Sequence, residues 1–229
     1  SIVGKNGAGK STLSKLLCGF EKEDRGRILY RGEDIRTKSI KERAEIIGLV
    51  MQNPNQMISK PMIFDEVALG LRLRKVPEEL ITERVEKVLK VCGLAPFIEW
   101  PISALSYGQK KRVTIASILV LDPKILILDE PTTGQDRKNI DNIMEIMCEA
   151  NRKGTTIILI THDMNLAAKY STRFVVMDHG ELVFQGSRSE FFGQFHQIRS
   201  SVLVLRGIYE LAVKLRDNGM VEVPEVYTV

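Results

Sequence analysis

Residues 4–11 read Gly-Lys-Asn-Gly-Ala-Gly-Lys-Ser, a G-x-x-x-x-G-K-S run whose residue types suit one task. Glycines let backbone N–H groups turn inward on an anion, and the helix that follows adds the positive end of its dipole. Lys10 supplies a cation that bridges the β- and γ-phosphates of a nucleotide, and Ser11 offers a hydroxyl to Mg2+. Gly4, Asn6, Gly7, Ala8, Gly9, Lys10, Ser11 and Thr12 together form the expected phosphate contact. A second pair of reactive groups, Asp129 and Glu130, follows the apolar run Ile125–Leu128. Four apolar residues predict a buried strand, and ligands of parallel sheets bind at the carboxyl ends of strands. There Asp129 is placed to hold Mg2+ and Glu130 to take a proton from an attacking water. Adjacent acids at a strand end are more often a solvated turn; the glycine-rich loop is what favours the catalytic reading. His162 ends another apolar run, IILIT, where it can hydrogen-bond a γ-phosphate. A lone His at a strand end is usually structural, and spacing alone leaves both roles open.

These groups need a scaffold, and the chain can supply one. Its 229 residues are 44% hydrophobic and 27% charged, close to an ordinary soluble protein and enough for one large domain with a small appendage. Apolar runs such as Ile118–Leu121 and Ile125–Leu128 are too short to cross a bilayer. The net charge of +4 is spread along the chain, which disfavours nucleic acid as a partner. Cys18, Cys92 and Cys148 are widely spaced with no C-x-x-C pair, so neither a disulfide framework nor a zinc site is supported, and a reducing cytoplasm fits.

Lys10–Leu17 reads as a helix closed by Gly19, and GRILYRGEDI as a strand meeting a turn at Gly32. IIGLVM is a short buried strand that ends in the polar loop of Gln52. Ile63–Arg74 and Glu78–Val91 are amphipathic helices on either side of Pro77. Ser106 opens a helix over SYGQKKRVTIASILVL, followed by the strand KILILDEP; Asp136–Arg152 and TTIILITHD repeat the pair. FVVMD and ELVFQG are two further strands that turn around Gly180. Helices alternating with continuous β-branched strands predict an α/β fold whose mainly parallel sheet is covered by helices on both faces. From Ser187 the chain changes character, and Leu205, Ile208, Leu211, Ala212 and Leu215 share one helical face in a tail.

Taken in order, GKNGAGKST, Gln52, LSYGQKKR at Leu105–Arg112, ILILDEP, TTGQD and ITHD resemble the ATP-binding cassette (ABC) ATPases, the motor subunits of ABC transporters. The resemblance runs up to about Gly186. It implies a P-loop NTPase with a β-rich patch, an ATPase domain over 1–190 that includes a helical subdomain at about 63–121, and a C-terminal helical tail over 191–229. ATP and Mg2+ are the implied bound groups. Gln52 matches the Q-loop glutamine, which senses Mg2+ and faces the transmembrane partner. Ser106, Gly108 and Gln109 match the signature motif, which reaches across a dimer to the γ-phosphate bound by the other subunit, again a helix N-terminus facing an anion. Asp136 matches the D-loop aspartate and His162 the switch histidine. Within the family, QNPNQMISKPMIFDEVALGL and PTTGQD are similar to the energy-coupling factor (ECF) and cobalt-type importers of vitamins and metal ions. The implied partners are integral-membrane transporter subunits and a second ABC cassette, identical or different, at the cytoplasmic face of the membrane. The apolar face of the tail is similar in place to the helices through which those ATPases pair, and a helix packed on its own domain explains it equally well.

Two features depart from the family. Its usual signature is L-S-G-G-Q, and Tyr107 stands here in place of the first Gly, while Ser106 and Gly108 keep the γ-phosphate contact. The family also places an adenine-stacking aromatic upstream of the loop, where this sequence has only Ser1–Val3. The expectation is a cassette that begins inside its first strand, and a longer N-terminal portion still, since TTGQD also occurs in second halves of fused double cassettes. Two other functions remain open. One is a soluble ABC ATPase acting on the ribosome or DNA, although the interval from Gln52 to Leu105 is too short for the coiled coil of chromosome-type members. The other is a non-catalytic cassette paired with an active one, which Tyr107 favours and the presence of Glu130 and His162 opposes. Lys10→Ala is expected to abolish nucleotide binding or turnover, because the loop loses its cation on the β- and γ-phosphates. ATP hydrolysis left unchanged by that substitution would overturn the family resemblance.

Overall fold

The computed structural model describes residues 1–194 and Ile198, which belong to two compact units: Ser1–Lys10 with the chain from Leu159 onward, and Ser11–Ile158. The elements follow in the order β1 Ile2–Val3, α1 Lys10–Cys18, β2 Leu29–Tyr30, β3 Glu33–Asp34, α2 Ile40–Arg43, β4 Ile47–Val50, α3 Ile63–Leu73 and α4 Glu78–Val91. Then come α5 Tyr107–Leu119, β5 Ile125–Asp129, α6 Arg137–Arg152, β6 Thr156–Thr161, α7 Met164–Tyr170, β7 Arg173–Asp178, β8 Glu181–Ser187 and α8 Arg188–Gly193. Strands and helices alternate as expected of an α/β chain.

In the first unit, β1 lies between two parallel neighbours, with Val3 level with Thr161 of β6 and with Val176 of β7. The antiparallel β8 returns along β7 through His179 and Gly180, whose φ values of 48° and 83° form the doubly left-handed turn that suits the twist of a tight hairpin. Every second residue of β7 points inward, so Phe174 and Val176 are fully buried, together with Val3 and Met164. Phe174 stacks on Phe191 of α8 with ring centroids 4.3 Å apart. α8 can present that ring because Ser187 and Glu190 cap each other reciprocally at its start.

In the second unit, β4 and β5 are parallel and in register from Ile47–Ile125 to Val50–Leu128. α3 packs against both α4 and α5, and α5 lies against β4. The last contact is close: a β-carbon at Gly48 would stand 2.3 Å from a methyl of Ile118. The residues between α1 and α2 form a small hairpin, with two-residue strands on either side of Arg31–Gly32, so the expected β-rich patch is thin in the described structure. The helices α2 and α7 are elements that apolar periodicity does not reveal, since both are short and depend on their caps: Ser39 with Glu42 for α2, and Asp163 for α7. The tail residues Leu205, Ile208, Leu211, Ala212 and Leu215 lie outside the described residues.

Phe191→Ala is expected to destabilise the protein by about 3–5 kcal/mol, because it removes a fully buried ring from the stack on Phe174. Leu182, on the exposed side of β8, should tolerate Thr within about 0.5 kcal/mol. Denaturant unfolding of both variants checks this, and equal midpoints would show that the aromatic stack does not hold the first unit together.

Candidate functional site

β1 runs directly into the glycine-rich loop. A β-carbon at Gly4 would stand 2.2 Å from the carbonyl oxygen of Met177, so the residue that opens the loop can carry no side chain. Gly7 has a φ of 82°, a left-handed conformation that glycine adopts at little cost. The loop closes through Ala8 N–H donating to the Lys5 carbonyl at 3.2 Å, and the hairpin turn supports it through Gly180 N–H donating to the Ala8 carbonyl at 3.1 Å. Lys10, 6% exposed, folds its ammonium back onto the carbonyl oxygens of Gly4 (2.8 Å) and Lys5 (2.9 Å). The result is a backbone concavity with an internal cation and with Asn6 and Gly7 exposed at its rim. Its charge and shape fit a phosphate group.

His162, also in the first unit, follows directly after β6 and is exposed. Its backbone is held on the C-terminal side. Asp163 N–H donates to Thr161 Oγ1 at 3.0 Å, and the Asp163 carboxylate accepts from Asn165 N–H at 2.9 Å and Leu166 N–H at 3.1 Å. Asp163 is thus a positioning group that reading ITHD as a strand end missed. The signal was present, an Asp immediately before an apolar run that suits a helix.

In the second unit α1 carries Ser11 and Thr12, both exposed in its first turn. β5 delivers Asp129, half-buried, and Glu130, 7% exposed. Glu130 has a φ of 45°, left-handed for a residue with a full side chain, and strain of this kind gathers at functional sites. Near these acids, α5 buries the whole of Lys111. Its ammonium donates to the carbonyl oxygens of Met51 at 2.6 Å and Gln52 at 2.8 Å. Burial pulls the Lys111 pKa down to about 8, and the negative charges of Asp129 and Glu130 oppose that fall. In SYGQKKR this lysine looks like part of a solvated basic run. Its place on one helical face with Gly108 and Ile115 is the signal that could have found it.

Gln52 itself is exposed, and Tyr107 Oη approaches its carbonyl oxygen at 3.5 Å. Ser106 N-caps α5: its Oγ accepts from Gln109 N–H at 3.3 Å while Gln109 Oε1 accepts from Ser106 N–H at 2.9 Å. The Gln109 amide therefore serves its own helix. The same holds for Asp136, which caps α6 by accepting from Asn139 N–H at 2.8 Å and Asn139 Nδ2 at 3.0 Å. Gly108 is pressed against that segment, since a β-carbon there would lie 2.7 Å from Asn139 Nδ2 and 2.8 Å from Gln135 Oε1. Among the described residues no cluster of three or more His, Cys, Asp or Glu side chains could cage a metal. Mg2+ does not require one, because it takes one or two protein oxygens and completes its shell with substrate phosphates and water. A Ser11 hydroxyl with an Asp129 carboxylate is a donor set of that kind.

Comparison with known proteins agrees with this chemistry. A family model described as "ABC transporter" matches residues 1–133. A putative ABC transporter ATP-binding protein of Clostridium perfringens is 56% identical over 216 residues, which cover 94% of this chain and 38% of that protein. One from Enterococcus faecalis is 64% identical over 183 residues, 80% of this chain and 32% of that protein. The chain thus spans about a third of the length of these relatives. Among solved structures, cbiO1 of Clostridium perfringens, described as part of the ABC transporter complex cbiONQ, matches with a TM-score of 0.78 and 36% identity over 95% of this chain and 84% of that one. The ATP-binding cassette MJ0796, in a dimeric post-hydrolysis state with ADP and Pi, matches with a TM-score of 0.72 and 27% identity over 82% of this chain and 84% of that one.

Gly4→Ala is expected to lower stability by about 1–3 kcal/mol and to weaken nucleotide binding at least about tenfold, since the loop must leave Met177 to make room. Gly193→Ala, where a β-carbon meets nothing within 4 Å, is the control and should change neither. Nucleotide titration and denaturant unfolding measure both, and an unaffected Gly4→Ala would mean that the contact with Met177 does not shape the loop.

Proposed function

The chain belongs to the ABC transporter family, and from that premise we propose that it is the ATP-binding and ATP-hydrolysing motor subunit of a transporter. No helix among the described residues is long and apolar enough to cross a membrane. In this reading the cassette sits peripherally at the cytoplasmic face of the membrane and drives integral-membrane partner subunits. It pairs with a second cassette, so that each of two Mg-ATP sites is completed by the Ser106–Gly108 turn of the other. Residues 1–190 form the ATPase domain, 63–121 its helical subdomain and 191–229 a pairing tail. The likeness to cbiO1, together with the residues QNPNQMISKPMIFDEVALGL and PTTGQD, supports an ECF-type importer of a vitamin or metal ion.

The observation that carries hydrolysis is Glu130, a buried carboxylate on left-handed backbone directly after β5. Lys10 and the amides of Gly7–Ser11 hold the phosphates, and His162 bonds the γ-phosphate. Ser11 and Asp129 would hold Mg2+, with Gln52 sensing it, and the ion when bound neutralises charge on the β- and γ-oxygens. Glu130 accepts a proton from water as the water oxygen bonds to the γ-phosphorus. The bond from that phosphorus to the bridging oxygen breaks, and ADP leaves with the electron pair. A second reading, a non-catalytic cassette beside an active one, is favoured by Tyr107, whose half-exposed ring occupies the signature position that the family gives to Gly.

Glu130→Gln keeps the side chain's shape and reach but cannot take the proton, so hydrolysis should fall by about 10²–10⁴ while ATP binding persists. The variant should therefore accumulate as a closed dimer with Mg-ATP, and adding Ser106→Arg should abolish that dimer. Light scattering of the intact protein decides it. A Glu130→Gln protein that stays monomeric, or pairs only with a different cassette, would favour the asymmetric reading.

A further inference from the structure

We propose that Lys111 is a positioning residue that fastens the backbone of Gln52 to the helix beginning at Ser106, so that the glutamine and the signature turn move together. This rests on the ATPase reading above, and the observations are independent of it. Lysine is almost never fully buried unless its charge is answered, yet Lys111 is 1% exposed. Two carbonyl oxygens answer it, those of Met51 and Gln52, 60 and 59 residues away in sequence. An ammonium is a compact donor that can serve both at once, and hydrogen bonds from a charged donor are about twice as strong as neutral ones.

The surroundings leave this tie little competition. The far end of the loop is pinned separately, by Glu66, whose buried carboxylate accepts from Ser59 N–H at 2.8 Å and Lys60 N–H at 2.7 Å. At the near end Met51 N–H donates to the soft sulfur of Met57 at 3.2 Å, and Tyr107 Oη lies at the limit of hydrogen bonding, 3.5 Å from the Gln52 carbonyl. Gln52 is exposed, so its placement rests on its backbone rather than on packing of its side chain. The start of α5 has its own neighbours, since Gly108 lies close against the side chains of Asn139 and Gln135. Without Lys111 the loop loses its charged tie to the helix at Met51 and Gln52. Nucleotide held by the glycine-rich loop would still bind, while the group sensing its cation would wander, and a displacement near 1 Å can cost about a hundredfold in rate.

The test separates hydrogen bonding from charge and from bulk. Lys111→Met keeps the length and removes the charge and both donors; Lys111→Gln restores two N–H donors without charge. In Lys111→Met, amide hydrogen exchange at 51–57 should quicken about tenfold or more in the nucleotide-free protein, with kcat at least about tenfold down and KM within about threefold. Lys111→Gln should recover most of both. Unchanged exchange in Lys111→Met overturns the proposal, as does faster exchange with wild-type kcat, or an equal loss in Lys111→Gln, which would make the charge and not the tie the relevant property. If Lys111→Met does not fold, Lys111→Ala, whose vacated volume admits water, carries the same readouts. An unsubstituted protein that hydrolyses no ATP counts against the ATPase reading alone, and the exchange comparison then decides the role of Lys111.

Discussion

The carbonyl oxygen of Met177 occupies the space that a side chain of residue 4 would need, and the phosphate loop takes its form from that approach. Once the chain turns there as glycine, the carbonyls of Gly4 and Lys5 point to where Lys10 can reach them, and the ammonium becomes a fixed charge inside the loop. The position of Met177 is itself decided by packing. It follows Phe174 and Val176 along β7, and those two are locked by the stack with Phe191 and by the core around Val3. A hydrophobic arrangement thus sets the geometry of a polar one. The fixed charge incurs no reorganisation when an anion arrives, which is what makes a preformed electrostatic site effective.

The second unit meets a different demand, since it brings two acids, Asp129 and Glu130, to the end of a buried strand. Ionised carboxylates are costly to bury unless a positive charge or hydrogen bonds accompany them. Lys111 is a positive charge near these acids: burial draws its pKa down to about 8 while Asp129 and Glu130 hold it up. Its own hydrogen bonds go to backbone carbonyls and not to the acids.

Much of this was legible in the sequence because the relevant physics is local. A glycine at every turn of the loop, the β-branched runs of β5 and β6, and the capping serine of α5 announce themselves within a few residues. α4 runs over Glu78–Val91 as its periodicity predicts. What escaped depends on contacts distant along the chain. Lys111 reads as solvated until α5 is docked on β4 through Gly48. The amide of Gln109 completes a capping box with Ser106, a contact that the motif LSYGQ does not announce. α7 is too short to show a periodic face and exists because Asp163 caps it.

The two capping side chains narrow what the signature turn can offer a partner. Gln109 Oε1 and the Asp136 carboxylate are both committed to backbone groups of their own chain. Ser106 Oγ already accepts from Gln109 N–H, but its own proton remains a donor that can turn outward, and the first-turn amides of α5 lie beside it. In the proposed dimer, recognition of a γ-phosphate by this turn therefore comes from one hydroxyl and the end of one helix dipole, with no formal charge. Such a contact is short-ranged and strict about distance. Tyr107 stands beside this contact, its ring 40% exposed on the same turn and its hydroxyl 3.5 Å from the Gln52 carbonyl. A ring that stays on that side would leave the face of Ser106 open to a partner, whereas a ring swung outward would hold the partner's nucleotide away. In the proposed dimer, the closing of a second cassette on this turn is therefore sensitive to where the Tyr107 ring lies, at the signature position where the sequence departs from its family.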